Sequence, residues 1–334
     1  MIFTLSNSAN QLYAGGLFST IGGQTRNRLA AFDTAGTLQP WNPDANNSVK
    51  ALIISGTNIY AGGSFTTIGG TARNRLASIS PSGPLNSWDP NANGDVEALA
   101  THNANLVAGG SFTCLGNCPA GIEGTDKWTR NRIAAFDNSG TILAFNPDAG
   151  GTVNSITSAG TTIYLGGSFL TVSGAGRLRA AAVDGAGTLQ AWNPQVNTGT
   201  VNAIAISGST VYLGGSFTSI NSIARNYLAA TDFAGNLQSG WNPSPAGVVH
   251  ASVTTDTASY AGGEFLNVSG QPRGKLAALD ANGNLLAWNP NFNNHISALL
   301  VSGSNFYAAG SFSMVGQTAS YRISALTTDG GLHW

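Results

Sequence analysis

The chain has 334 residues, a net charge of −1 and only 9% charged residues, with 44 glycines and two cysteines. No basic stripe argues for a nucleic-acid partner, no apolar run reaches the roughly 18 residues of a membrane-spanning helix, and a chain this long needs no disulfide framework, because it buries roughly 75% of its unfolded surface on folding. Glycine, with plentiful Asn, Ser and Thr, disfavours helix and favours turns.

The N-terminal MIFTLSNSANQLY has no basic segment followed by a long apolar one, so it does not read as a signal peptide. It reads as a first strand. Ile2 falls on the repeat position held by Val49, Val96, Val153, Val201, Val249 and Ile296. Both ends of the chain cut at unit boundaries, so the expectation is a propeller excised from a longer secreted protein, with a small complete protein as the alternative.

An aromatic-x-Gly-Gly-x-Phe core then recurs along the chain. It stands as YAGGLF from Tyr13, YAGGSF from Tyr60, VAGGSF from Val107, YLGGSF from Tyr164 and Tyr212, YAGGEF from Tyr260 and YAAGSF from Tyr307. These starts are 47, 47, 57, 48, 48 and 47 residues apart. A period of about 45–50 residues, with several short apolar runs per unit, predicts a β-propeller. The expected fold is all-β, a seven-bladed β-propeller with four antiparallel strands per blade, forming one domain over 1–334. In the second unit the strand-like runs begin at Val49, Asn58, Arg73 and Pro84.

The paired glycines sit inside a strand, where they predict either a bulge or close approach of a neighbouring blade. The repeated Phe18, Phe65, Phe112, Phe169, Phe217, Phe265 and Phe312 are expected to fill the space between blades. Trp41, Trp88, Phe145, Trp192, Trp241, Trp288 and Trp334 are expected to do so at the rim. Turns such as DTAG at Asp33–Gly36 and DANG at Asp280–Gly283 fit type I geometry, with the Asp carboxylate bonding backbone N–H groups. Twelve of the fourteen basic residues occupy two repeat positions, exemplified by Arg73 and Arg75. Recurrence at fixed positions points to scaffold contacts with aromatic rings or carbonyls rather than to a polyanion site.

Function is best sought where the copies disagree. Unit three carries a ten-residue insertion, CLGNCPAGIEGTDKWT, over about 114–128. It holds Cys114 and Cys118, too few ligands for structural zinc; a local disulfide suits an oxidising compartment. Its Trp128 either stacks on a sugar or anchors a partner, or covers the loop's own small core. A second variable position opens each innermost strand: Phe3, Lys50, Glu97, Asn154, Asn202, His250 and Ser297. These seven are expected to ring one mouth of the central channel as a ligand site, the alternative being a water-filled channel. Third, Asp89, Asn91, Asn93 and Asp95 imitate the start of a calcium loop, but Ala100 stands where the bidentate Glu belongs. An Asn-rich turn is the competing reading, and no other cofactor is expected.

The unit VxALxxSGxxxYxGGSFTTIGGxxRNRLAxxDxxGxLxxWxP resembles the delta-sixty repeat, a bacterial propeller repeat of undefined function, along all seven copies. LAAFDTAGTLQPW and LAALDANGNLLAW also resemble the third and fourth strands of quinoprotein-type propellers, whose vicinal cysteine pair and metal ligands are absent here. The resemblance implies a bacterial, secreted or surface context and supplies no catalytic residues.

The sequence therefore predicts a non-enzymatic extracellular binding or scaffold module, facing a glycan or a protein, or other domains of a longer chain. Two alternatives stand beside it. One is a polysaccharide lyase or glycoside hydrolase with its site at the channel mouth, against which counts the single acidic residue, Glu97, in the predicted ring. The other is a self-assembling surface protein.

Overall fold

Each repeat folds into a small antiparallel sheet whose strands run in chain order from the axis outward. The computed structural model describes residues 1–8, 10–116, 129–327 and 331–334. Among these are seven three-stranded sheets and no helix. In the second blade Val49–Ser55 pairs with Asn58–Gly63, which pairs in turn with Leu76–Ile79. All seven blades are contiguous in sequence.

The fourth strand is a correction to the expectation. It shrinks to a single bridge in every blade, from Phe32↔Leu38 through Ile79↔Leu85 to Leu326↔Leu332. The cause lies just beyond it. The closing aromatic turns inward to pack, and in six of the seven units an Asn-Pro or Asp-Pro pair follows, where proline has no N–H to carry the ladder on. A different pair of strands appears instead. Six short hairpins, such as Thr20–Ile21 with Gln24–Thr25, follow the Gly-Gly-x-Phe core among the described residues. In five of the six both central residues have positive φ (57° and 74° at Gly22–Gly23), the backbone of a type I′ turn; in the sixth only Gly316 does.

The core lies between blades rather than within them. One cluster joins Tyr13, Leu29, Ala31 and Trp41 of the first blade to Val49, Leu52, Phe65 and Ile79 of the second. The recurring Phe is fully buried in blades two to six. The closing tryptophans meet the strand Tyr edge to face, as at Tyr13–Trp41 with centroids 5.0 Å apart.

The recurring polar residues serve the scaffold. Asp33 accepts hydrogen bonds from the Ala35 and Thr37 amides at 3.0 and 2.8 Å. Arg73 donates to the carbonyls of Ala72 and Asn86 at 2.8 and 2.9 Å, both in its own blade. The second cation position is a left-handed residue in all seven blades: φ runs from 64° to 69° at Arg28, Arg75, Arg132, Arg179, Tyr227, Lys275 and Arg322. Arg75 reaches from there to the Ala92 carbonyl, on the segment leading into the next blade, at 2.9 Å.

The two glycines have separate jobs. A Cβ on the first, Gly62, would stand 2.5 Å from Val96 Cγ1 of the next blade. A Cβ on the second, Gly63, would collide with the Ser48 carbonyl oxygen of its own inner strand. The first glycine therefore sets the spacing between blades, and the second lets the inner strand bulge. In the seventh blade the first glycine is Ala309, facing Ile2 across the closing joint, in one apolar cluster with it. The ring is also tied there by Ser297 Oγ donating to the Ile2 carbonyl at 2.9 Å and Asn7 Nδ2 donating to Ser302 Oγ at 2.6 Å.

Candidate functional site

The bulge creates the site. In each blade the pairing register slips by one residue at the start of the inner strand, between Val49 and Ala51 in the second blade. The same slip occurs between Ile2 and Thr4, Val96 and Ala98, Val153 and Ser155, Val201 and Ala203, Val249 and Ala251, and Ile296 and Ala298. The residue left over is Phe3, Lys50, Glu97, Asn154, Asn202, His250 or Ser297. A bulge re-aims the side chain of its extra residue. All seven line one cavity of about 410 Å³, with Met1, Glu264 and His295. The seven residues singled out from the sequence are thus brought together at one end of the axis.

Three of the seven also stitch their blade to the next. Lys50 donates to Glu97 at 2.5 Å, Asn202 to the Val249 carbonyl at 3.3 Å, and Ser297 to the Ile2 carbonyl. Asn154 has no side-chain hydrogen bond among the described residues.

The lining is electrically uneven. Between blades two and three, Lys50 sits between Glu97 at 2.5 Å and Asp95 at 3.0 Å. Ser64 donates to Asp95 at 2.6 Å, and Arg75 stands 3.7 Å from the same carboxylate. Burial pulls against the charge on Lys50, but hydrogen bonds and attraction from Glu97 and Asp95 outweigh it and raise its pKa. Burial likewise opposes the Asp95 charge, and the bonds from Ser64 and Lys50 win, lowering its pKa.

Between blades six and seven the groups differ. His250 Nε2 lies 2.9 Å from Glu264 Oε1, and the His250 and His295 rings are 6.0 Å apart. The Ser311 hydroxyl bonds the His295 ring. The hydrogen bond with His250 holds the Glu264 carboxyl below its ordinary range, and burial, then His250, push His295 below the usual imidazole value. Among the described residues, no group of three or more His, Cys, Asp or Glu side chains is arranged to hold a metal ion.

Glu264 and His295 are the residues that reading along one repeat position misses. The signal was present elsewhere. Glu264 interrupts a run of serines at the x of Gly-Gly-x-Phe (Ser64, Ser111, Ser168, Ser216, Ser311), and His295 is the counterpart of Asp95 just before the inner strand. Their presence also corrects the expectation of one acidic residue at the mouth, since Glu264 lines the same cavity as Glu97.

The calcium-loop reading is overturned by geometry. Asp89 faces Arg73 at 3.7 Å, and Asn91 accepts from Asn74 at 2.6 Å. Asn93 caps the Thr113 and Cys114 amides at 2.8 and 3.0 Å, and Asp95 turns to Lys50. The same capping recurs at Asn46 and Asn293, so the pattern belongs to the blade and the four side chains do not converge. Cys118 and Trp128 lie outside the described residues, and with them the expected Cys114–Cys118 pairing and the exposed indole.

The model of a β-propeller domain of unknown function, DUF5122, matches residues 10–40. A search of the curated proteins finds no match. Among solved structures, the computationally designed Ika8 protein is similar at a TM-score of 0.61 and 16% identity, covering 99% of this chain and 85% of that one. The WD40 β-propeller domain of Doa1 is similar at 0.57 and 10% identity, over 86% and 81% of the two chains. The Pan2 WD40 domain of Neurospora crassa is similar at 0.57 and 12% identity, over 92% and 85%. At these identities the likeness is one of fold, and it agrees with an all-β, seven-bladed β-propeller.

Proposed function

We propose that the chain is a non-enzymatic binding module, extracellular or at a cell surface, whose site is the channel mouth and whose ligand is a saccharide. One observation carries this reading. Seven structurally equivalent bulges present six kinds of side chain to one cavity, while the positions beneath them barely vary. A cavity of about 410 Å³ falls within the range of small-molecule sites. Its chemistry suits a sugar: Phe3 offers an aromatic face, and Asn154, Asn202, Ser297 and the two carboxylates offer donors and acceptors for hydroxyls. Hydrolysis is the weaker reading, because Glu97 is held by Lys50. The delta-sixty likeness along all seven copies supports the bacterial, secreted setting.

Two measurements test this. Glycan-array binding should fall at least tenfold in a Phe3→Ala/Asn154→Ala double variant with unchanged melting temperature; an unaltered array profile would remove the mouth as the site. Alkylation without reductant, read by mass spectrometry, should label neither Cys114 nor Cys118 in protein exported to an oxidising compartment; two labelled thiols would count against the extracellular setting.

A further inference from the structure

The mouth holds two carboxylates in unlike states. Glu97 is neutralised by Lys50 at 2.5 Å. Glu264, 53% exposed, has only the His250 imidazole within ion-pair distance among the described residues, and that ring is charged only when protonated. The cations nearby are engaged elsewhere. Lys275 donates to the backbone carbonyl of Glu264 at 3.0 Å, and the Met1 ammonium donates to the Leu17 carbonyl at 3.1 Å.

From this arrangement we infer that the mouth selects a ligand bearing a primary ammonium group, seated on the Glu264 carboxylate, and that the preferred saccharide is an amino sugar with a free amine. The inference rests on the saccharide reading above. An ammonium has three donors and no acceptor. Glu264 has a second carboxylate oxygen beyond the one facing His250, the Asn202 and Ser297 side chains line the same cavity, and Phe3 offers a π face to a cation. The low pKa of Glu264 keeps that carboxylate ionised near neutrality. Charge-assisted hydrogen bonds are roughly twice as strong as neutral ones, so the amine rather than the hydroxyls dictates the choice among sugars. An acetylated amine loses both its charge and its fit.

Isothermal titration calorimetry of the full chain at pH 7 with glucosamine, glucose, N-acetylglucosamine and n-butylamine tests this. Glucosamine should bind about tenfold more tightly than glucose or N-acetylglucosamine, the effect of one charge-assisted contact. Glu264→Gln should bring glucosamine down to the level of glucose, with a melting curve like that of the parent because the side chain is exposed. Equal affinity for the three sugars, or a glucosamine preference that survives Glu264→Gln, overturns the amine inference and leaves the saccharide reading standing. Binding of n-butylamine with no binding of any sugar does the reverse. No binding of any probe overturns both.

Discussion

Blades two and three meet at the mouth through Lys50, Ser64, Asp95 and Glu97; blades six and seven meet through His250, Glu264, His295 and Ser297. The backbone under the two corners is the same: one bulge, one glycine pair, one hairpin. In the first corner a cation sits between two carboxylates and every charge is answered inside the protein. In the second, one carboxylate is bonded to an imidazole and faces open space. The difference teaches that this scaffold fixes where side chains point and leaves their chemistry free. Three positions per blade (the bulge residue, the x of Gly-Gly-x-Phe and the residue before the inner strand) decide whether a corner is closed or receptive.

The largest effects should come from the shared scaffold and should be equal at both corners. Gly63→Ala and Gly263→Ala each drive a Cβ into a backbone carbonyl, of Ser48 and Val248 respectively. Each is expected to destabilise the protein by about 2–3 kcal/mol in urea unfolding. Values differing by more than about 1 kcal/mol would break the premise of a common framework.

A smaller, unequal effect separates the corners. Lys50→Met leaves Asp95 and Glu97 side by side, each only about a quarter to a third exposed. The expected loss is about 1–2 kcal/mol, discounted for partial solvent screening. His250→Gln, at the receptive corner, is expected to cost less than about 0.5 kcal/mol. Similar losses for the two would erase the contrast.

Acid should sharpen it further. The pKa of His295 is lowered from 6.5, so its contribution is present above 6.5 and is lost as pH falls through the lowered value. Asp95 and the turn residues Asp137, Asp184, Asp232 and Asp280 are lowered from 3.8. Their contribution is present above 3.8 and disappears as pH falls below it. Melting temperature should therefore show a slight step below pH 6.5 and a steep fall below pH 4. His295→Gln should abolish the first and keep the second; a step that persists in that variant assigns it to another group.

The ring and its seven mouth residues were legible in the sequence because aligned copies show which position varies, and a bulge aims equivalent residues alike. Glu264 and His295 were not. They reach the same cavity from different repeat positions, and only the curvature of the mouth makes neighbours of them. The calcium likeness misled for the same reason: Asp89, Asn91, Asn93 and Asp95 are adjacent in sequence, yet each is drawn to a different partner. The hairpins that follow six of the core Phe residues among the described residues escape a reading of the sequence because their turns do not always advertise themselves with glycine. Asn221–Ser222 adopts the same left-handed pair as Gly22–Gly23. The expected fourth strand is cut short where its closing aromatic turns in to pack, in blade seven as in the six blades where a proline follows.

Ala309 gives the toroid an unequal joint. Six junctions seat a valine or isoleucine against a bare glycine, and the seventh inserts a methyl group between Ala309 and Ile2. The extra methyl group has to be accommodated at this joint alone, which makes it the junction most exposed to packing strain. Amide exchange in native conditions should accordingly be fastest along Ile2–Asn7 and Ile296–Ser302, and Ala309→Gly should slow it. A joint that yields first would let the ring give at one place without loosening the other six.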